Sequence, residues 1–398
     1  MSTLFSGLKV IDAASFLAGP CAATILSDYG ADVVKIEPPT GDRHRSIAAG
    51  HASEWSWQLT DRNRRGLALD ISKPEGYEVL MRLLHAADVL VVNFSAGQLR
   101  KYRLEWETLR KVNPRLVFAQ ISAYGLEGDE ADRPAFDLTG WFARTGIMDM
   151  MHDKDVPPSV PAGGVGDHAT AVTLFAGIMM ALYRRDRTGE GGMVSTSLAA
   201  TGTWANGLNL QAVLAGVDGA ARRDREGWSN PVQNVYTTRD DRHLLIAVQN
   251  IARDWSKLVD ALDAARWLDD PRMQPVRPLF SNRFYAREEI QKAIGALDAN
   301  ELCQRLDACG IVYSLVARNA EVIDDPQLIA NGVFVPFASG VPGVARTLAT
   351  PIRLSDEAQV APRRAPRIGE HSREVLTEYG FSREEIDTLA AQGVIVES

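Results

Sequence analysis

The feature of this sequence that most constrains its fold is a strand–helix–strand pattern near the start. The apolar run at 8–14 (LKVIDAA) predicts a buried strand, and 20–29 predicts a helix with Pro20 at its first position. A second strand is predicted at 31–37 (ADVVKIE). Two strands joined by a helix within about 30 residues form a βαβ unit, which requires a parallel sheet.

The same alternation continues along the chain. Further helices are predicted at 74–87, 105–112, 167–185 and 198–215, and further strands at 88–94, 115–122 and 193–197. Strands that alternate with helices in this way predict an α/β fold.

The pattern changes after a charged, glycine-containing stretch at 216–231, which we interpret as a linker. We predict a large domain from 1–215 together with 330–398, and a smaller α+β domain at 232–329. The smaller domain begins with two predicted strands around an Arg-Asp-Asp turn. Its predicted helices lie at about 251–266, 286–296 and 299–309. The helical pattern at 363–393 predicts that the chain end returns to the large domain.

Composition excludes several classes of partner. Lys and Arg number 43 against 51 Asp and Glu, and the resulting net charge of -8 argues against nucleic acid. Three cysteines without a CxxC pair, and histidines without ligand spacing, support neither a disulfide framework nor a metal site. No secretory signal is visible, and the apolar run at 169–182 is short for a bilayer. We therefore expect a cytoplasmic protein with no membrane partner.

Two predicted strand ends carry candidate ligand contacts. The first turn reads SFLAGPCAA and lacks the glycine patterns of dinucleotide and P-loop sites. Ala18 and Gly19 nevertheless permit a close backbone approach where open α/β sheets bind ligands, although a tight turn alone explains them too. At another strand end, Asn93 could pair with a base or ribose and Phe94 could stack on a ring, with Ser95 beside them.

Basic residues lie near these strand ends in the sequence. They are Arg62, Arg64, Arg65, Arg100 and Lys101. As a set they could hold a phosphorylated ligand through charge-assisted hydrogen bonds, whereas each alone is typical of a solvated surface.

Asp167 follows the glycine-rich AGGVG and precedes a long apolar helix. At the N-cap or in the first turn, the free N–H groups and the helix dipole keep a carboxylate ionised. Both a structural cap and a catalytic carboxylate fit this position. His168 is adjacent, but neighbouring helical residues face different directions, so no His-Asp pair is implied.

The sequence resembles the class III CoA-transferases, the family of formyl-CoA transferase and carnitine CoA-transferase. The resemblance rests on stretches at 7–42, 63–76, 89–104, 113–125, 133–140, 165–198 and 365–395, including GLKVIDAASFLAGPCAATILSDYGADVVKIEPPTGD and VGDHATAVTLFAGIMMALYRRDRTGEGG. It implies a Rossmann-like large domain built from both chain ends, a small domain from the middle, and an interlocked homodimer.

The resemblance also implies an activity. CoA would pass from an acyl-CoA donor to a small carboxylic acid through an aspartyl-CoA thioester on Asp167, with acyl-CoA as co-substrate and no metal. The CoA contacts that carry over are Leu17, Ala18, Pro38, Leu69, Asn93, Phe94, Ser95, Lys101 and Asp137. Pro38 stands where some members have an arginine.

Alternatives remain within and beyond this family. An α-methylacyl-CoA racemase would need a histidine where this chain has Phe136, and a CoA-binding protein without turnover would not require Asp167. For the acceptor we expect a short dicarboxylic acid, with succinyl-CoA as a donor. Arg45, Gln249 and Asn250 are the polar residues that could meet its second anionic group.

Overall fold

The computed structural model describes residues 3–48, 54–152, 156–217, 230–337 and 340–398. They form two compact units. The first draws its described residues from Met1–His152, Pro158–Ala221 and Gln327–Ser398, and the second from Asp153–Pro157 and Arg222–Pro326. Most of the predicted linker at 216–231 lies outside the described residues.

Strands and helices alternate along most of the chain. The strands are β1 (Lys9–Asp12), β2 (Asp32–Glu37), β3 (Arg65–Leu69), β4 (Val89–Val92), β5 (Val117–Ser122), β6 (Gly192–Ser197), β7 (Gln233–Thr237), β8 (His243–Ala247), β9 (Tyr313–Leu315), β10 (Phe334–Pro336), β11 (Arg346–Leu348) and β12 (Ile395–Val396). The α-helices are α1 (Ala18–Asp28), α2 (Trp55–Thr60), α3 (Pro74–Ala86), α4 (Ala96–Lys101), α5 (Trp106–Val112), α6 (Ile147–Met150), α7 (Val165–Thr188), α8 (Leu198–Ala205), α9 (Gly207–Leu214), α10 (Ile251–Ala261), α11 (Arg277–Ser281), α12 (Arg283–Ile294), α13 (Ala299–Cys309), α14 (Asn319–Val322), α15 (Pro326–Ala330), α16 (Ser372–Glu378) and α17 (Arg383–Ala391). Short 3-10 helices lie at Arg43–Ala48 and Ala265–Leu268, and a π-helical turn lies at Leu138–Ala143.

The first unit is built on a seven-stranded sheet with the order β12-β3-β2-β1-β4-β5-β6. Neighbouring strands from β3 to β6 run parallel, whereas β12 pairs antiparallel with β3 through Ile395 and Leu69. The predicted α/β fold class with a parallel sheet is thus confirmed. The chain order reverses between β1 and β4, and open α/β sheets bind ligands at such a switch point.

Helices pack on both faces of this sheet. Ile11 and Leu90 point into a core shared with α3, α5, α16 and α17, whereas the adjacent Val10 and Val91 point into a core shared with α1 and α7. Burial on both faces explains why these strands read as continuous apolar runs in the sequence.

Three elements differ from the sequence prediction. Strand β3 was not predicted, because its short RGLAL run becomes a strand only through pairing with β2 and β12. The helix predicted at 198–215 is broken at Asn206, whose buried side chain donates to the carbonyl oxygen of Thr145 at 2.9 Å. The helix predicted at 251–266 ends at Ala261, and nearby Asp263 has a left-handed φ of 49°.

The second unit contains a three-stranded antiparallel sheet, β7-β8-β9. The predicted pair of strands is present, with Tyr236 opposite Leu244. Helices α10, α12 and α13 contribute to its apolar core. In that core the rings of Trp255 and Trp267 stack with centroids 5.9 Å apart.

Helix α7 is long and apolar enough, by length and composition, to cross a membrane. One face, including Leu174 and Ile178, is buried in the core that α7 shares with α1 and the sheet. Core helices of globular proteins have the same properties. The opposite face, which carries Met180 and Tyr183, is exposed in the single chain.

Candidate active site

The first turn lies at the switch point of the sheet. Asn93, which directly follows β4, holds this turn through Ser15: its Oδ1 accepts from the Ser15 N–H and its Nδ2 donates to the Ser15 carbonyl oxygen, both at 2.9 Å. The next residue, Phe16, has a φ of 63°. A left-handed conformation is strained for a residue with a bulky side chain, and such strain is typical of functional sites.

The start of α7 is capped from a distant segment. Oδ2 of the buried Asp137 accepts from the N–H groups of Gly164 at 2.7 Å and Gly166 at 3.2 Å. Gly166 is required here because a Cβ would lie 2.6 Å from Cγ of Trp141. Asp137 therefore performs the capping role that the sequence left open for Asp167.

Asp167 is the third residue of α7 and is half-buried. Within the described residues, no hydrogen bond reaches its carboxylate. Burial, together with the negative charge of Asp137, raises the pKa of Asp167 to about 7. A carboxylate with a raised pKa and free oxygens is a candidate for chemistry rather than for structure. No hydrogen bond joins it to His168 in the described chain, and the His168 side chain is exposed.

The first turn and the start of α7 lie against each other. A Cβ built on Gly164 would lie 3.6 Å from Cδ1 of Leu17. The ring of Phe16 packs edge-on against that of Phe136, with centroids 5.5 Å apart. Because Phe136 immediately precedes Asp137, both contacts tie the turn to the capped end of α7.

The residues after β4 form a second group. The ring of Phe94 lies 5.7 Å from that of Tyr102, and Ser95 caps α4 by accepting from the N–H of Gln98. Lys101 lies 5.2 Å above the Tyr102 ring and, among the described residues, has no ion pair. The predicted Arg100, by contrast, pairs with Asp132 at 3.2 Å, so of these two residues Lys101 is the one whose charge remains available.

The other predicted contacts have different environments. Ala18 begins α1 and is buried beside Leu17. Pro38 is exposed after β2. The side chain of Leu69 is buried in the core at 2% exposure, so a ligand contact at this position would involve the main chain.

Three of the arginines predicted to bind phosphate form ion pairs with carboxylates of this chain instead. The prediction is therefore wrong for Arg62, Arg64 and Arg65. Arg62 is buried and pairs with Asp28 at 2.6 Å. Arg64 is buried against Asp12 and Asp61, and Arg65 pairs with Asp32, Glu374 and Glu378. Except for Asp61, three residues before Arg64, the partners lie on other elements, which a linear pattern does not reveal.

Arg45 is also occupied. Its guanidinium binds both oxygens of Glu37 at 2.9 and 2.8 Å, donates to the carbonyl oxygen of Pro366 at 2.9 Å, and stacks 3.8 Å over the Trp57 ring. In the second unit, Asn250 caps α10 and Gln249 is exposed.

Sequence reasoning missed a buried charged cluster beneath the first turn. Lys35 lies 3.2 Å from Asp42, 3.7 Å from Asp12 and 3.8 Å from Asp61. The sequence signal for this cluster was a charged residue in each of two otherwise apolar strands, Asp12 in KVID and Lys35 in VVKIE. The described residues contain no group of three His, Cys, Asp or Glu that could hold a metal.

Known proteins are similar to this one over nearly the whole chain. The chain is 29% identical over 404 residues to the (R)-2-hydroxy-4-methylpentanoate CoA-transferase of Clostridioides difficile, covering 98% of this chain and 99% of that protein. It is 31% identical over 386 residues to the succinyl-CoA:mesaconate CoA-transferase of Haloarcula hispanica, covering 94% and 96%. A CAIB/BAIF family protein from Brucella suis matches the structure with a TM-score of 0.83 at 28% identity, covering 95% and 100%.

The family described as CoA-transferase family III matches residues 5–372. This span includes the first turn, the residues after β4, Asp137 and Asp167. It also includes the middle of the chain that forms the second unit. The protein is therefore an enzyme of CoA-transferase family III.

Proposed function

We propose that this enzyme transfers CoA from an acyl-CoA donor to a small carboxylic acid through an aspartyl-CoA thioester on Asp167. The observation that carries the proposal is the state of that side chain: half-buried at a helix start, without a hydrogen-bond partner among the described residues, and with a pKa raised to about 7. A structural carboxylate at this position would be expected to cap the helix, and Asp137 already does so.

The proposed reaction proceeds by covalent catalysis. A carboxylate oxygen of Asp167 attacks the donor thioester, which releases CoA thiolate and leaves a mixed anhydride. The thiolate then attacks the aspartyl carbonyl carbon, which releases the donor acid and leaves the aspartyl-CoA thioester. The acceptor carboxylate attacks this thioester, and the same steps in reverse order produce the new acyl-CoA and restore Asp167.

The raised pKa of Asp167 is compatible with this role. A carboxylate of higher pKa is the stronger nucleophile once it is ionised, and near neutral pH a substantial fraction is ionised. Asp137 raises the pKa by its charge while it fixes the backbone that carries the nucleophile.

We infer that CoA lies along the switch point of the sheet, whose order we take as Rossmann-like. Its thiol end would meet Leu17, Ala18 and Asp137 near α7, and its adenosine end would meet Asn93, Phe94 and Ser95. The remaining proposed contacts are Pro38, Leu69 and Lys101. The uncommitted charge of Lys101 favours a phosphate contact.

The acceptor is the least constrained part of the proposal. A dicarboxylic acid remains our choice, but Arg45, one of the residues expected to meet its second anionic group, is engaged with Glu37. The two relatives described above are named for a branched hydroxy acid and for mesaconate. Both acids therefore belong in any substrate panel.

We also propose a cytoplasmic homodimer. The support for the dimer is an apolar surface on α7, α8 and α9 that is exposed in the single chain. Trp204 is 86% exposed, Leu208 85% and Met180 73%. Helix α8 packs against both α7 and α9, and large exposed apolar patches are typical of protein interfaces.

Intact mass tests the chemistry directly. The protein is mixed with acetyl-, succinyl- or mesaconyl-CoA, and its mass is compared with that of Asp167→Ala treated in the same way. We expect a covalent CoA adduct on the native protein alone. Exchange of an α-proton with solvent deuterium and no adduct would favour a racemase instead. Tight CoA binding without adduct or exchange would favour a binding protein.

A further inference from the structure

The backbone of the first turn is held by side chains at every polar atom from Ala14 to Phe16. The Ala14 N–H donates to Oδ1 of Asp12 at 3.0 Å, and the Ala14 carbonyl oxygen accepts from Nζ of Lys35. The N–H and carbonyl oxygen of Ser15 both bind the Asn93 side chain.

Phe16 is held in the same way. Its N–H donates to Oδ1 of Asp42 at 3.5 Å, and its carbonyl oxygen lies 2.9 Å from Nδ1 of His44. Because a carbonyl oxygen can only accept, Nδ1 of His44 carries the proton. The five side chains that bind the turn form what we term the turn clamp: Asp12, Lys35, Asp42, His44 and Asn93.

Burying the charges of the turn clamp costs free energy that an apolar core would not require. Asp12, Lys35 and His44 are fully buried, and Asp42 is nearly so. Buried ion pairs of this kind often stabilise a fold less than apolar side chains of similar volume would. What the charges provide is a unique set of acceptors and donors for a backbone that contains the left-handed Phe16.

Movement of this turn would disturb the candidate active site. Leu17 lies against the helix start at Gly164, and the Phe16 ring packs against that of Phe136, next to Asp137. A shift of about 1 Å in such contacts can slow a reaction by two orders of magnitude.

We infer that the turn clamp consists of positioning residues, which fix the first turn so that the aspartyl-CoA thioester can form at Asp167. This inference rests on the proposed function. Four of the side chains act on the candidate active site only through the backbone of the turn: Asp12, Lys35, Asp42 and His44. Asn93 acts on the turn in addition to its proposed contact with CoA.

The test uses two substitutions of one residue. His44→Leu removes the donor to Phe16, whereas His44→Asn keeps an amide N–H near the position of Nδ1. Burial lowers the pKa of His44, so neither change removes a charge at neutral pH. Within the described residues its Nε2 has no hydrogen-bond partner, so the polar contacts that the leucine loses are those of Nδ1 to Phe16 and, at 3.3 Å, to Oγ1 of Thr60. The asparagine loses the edge-on contact of the His44 ring with Trp57 as well, so this contact does not distinguish the two variants.

We expect adduct formation, measured in a single turnover with saturating donor, to slow roughly 10- to 100-fold in His44→Leu and to recover in His44→Asn. The affinity for free CoA should fall less than the rate does, because the contacts proposed for Phe94, Ser95 and Lys101 lie outside the turn. An unchanged rate in folded His44→Leu overturns the inference, and so does a rate loss that merely follows the loss of folded protein.

A second measurement tests whether His44 acts through the backbone conformation of Phe16. Glycine adopts a positive φ without strain, so His44→Leu should slow the reaction less in a Phe16→Gly background than in a Phe16→Ala background. Equal losses in both backgrounds would contradict the turn clamp. Absence of any adduct in the native protein would instead overturn the proposed function.

Discussion

Two carboxylates at the start of α7 differ because their hydrogen-bond partners differ. Asp137 accepts from the N–H groups of Gly164 and Gly166, whereas no partner reaches Asp167 among the described residues. Burial and the charge of Asp137 raise the pKa of Asp167 to about 7. The ionised, nucleophilic form of Asp167 therefore increases as the pH rises through about 7.

Asp137→Asn tests this coupling, since an asparagine oxygen can still accept from the helix N–H groups while the charge is lost. Without that charge the pKa of Asp167 falls, so the rise of adduct formation with pH should move to lower pH. The pH dependence of the single-turnover rate measures this shift.

Asp137→Ala is the matched control. It removes the charge and the acceptor together, so it should also cost about 0.5–2 kcal/mol of unfolding free energy, as the loss of other helix caps does. A pH profile in Asp137→Asn identical to that of the native protein would show that Asp137 does not set the pKa of Asp167.

At the scale of elements, α1 packs against both the sheet and α7, and the residues of its first two turns are small. Its first turn approaches the residues after β1 so closely that a Cβ on Gly19 would lie 2.4 Å from Cβ of Ala14. This contact connects the start of α1 with the turn that the clamp holds. Close packing here thus links the sheet to the candidate active site.

Gly19→Ala should destabilise the protein by about 1–3 kcal/mol, since the added methyl group overlaps a neighbouring side chain. Chemical denaturation measures the change. It should also slow adduct formation, because the displaced atoms belong to the first turn.

Gly177→Ala, within α7, is the control for helix propensity. There a Cβ would meet Val194 at 3.6 Å, an ordinary contact distance. The change should stabilise the protein by about 0.5–1 kcal/mol through propensity alone. A Gly19→Ala variant as stable as Gly177→Ala would refute the close approach of Gly19 and Ala14.

At the scale of the whole molecule, the apolar surface of α7, α8 and α9 requires an explanation. One face of α7 is buried in the core, yet Tyr183 on its other face is 65% exposed in the single chain. Trp204 and Leu208 add two more large exposed side chains. A second copy of the chain is the partner we propose for this surface.

The double substitution Trp204→Glu and Leu208→Glu should convert the proposed dimer to a monomer, because buried charges in an interface are costly. Light scattering coupled to size exclusion measures the mass in solution. Leu4→Glu, at a residue that is 43% exposed outside this surface, should leave the dimer intact. A double variant that remains dimeric would place the interface elsewhere.

The α/β class and the parallel sheet could be predicted from the amino-acid sequence, because alternation of apolar runs with helices is a local pattern. The position of Asp167 at the start of a long helix was equally predictable, from the glycines before it and the apolar residues after it. Resemblance across nearly the whole chain added the family, which the matches to known proteins confirmed.

Only the folded chain showed which charged side chains can bind a ligand and which are paired within the protein. Arg62 and Arg64 look like ligand contacts in the sequence, but both are buried and pair with carboxylates of other elements, Asp28 on α1 and Asp12 on β1. The helix cap comes from Asp137, 27 residues before the glycine it binds, and no local pattern indicates it. The physical reason is that hydrogen bonds and ion pairs act between residues that are close in space, whatever their separation along the chain.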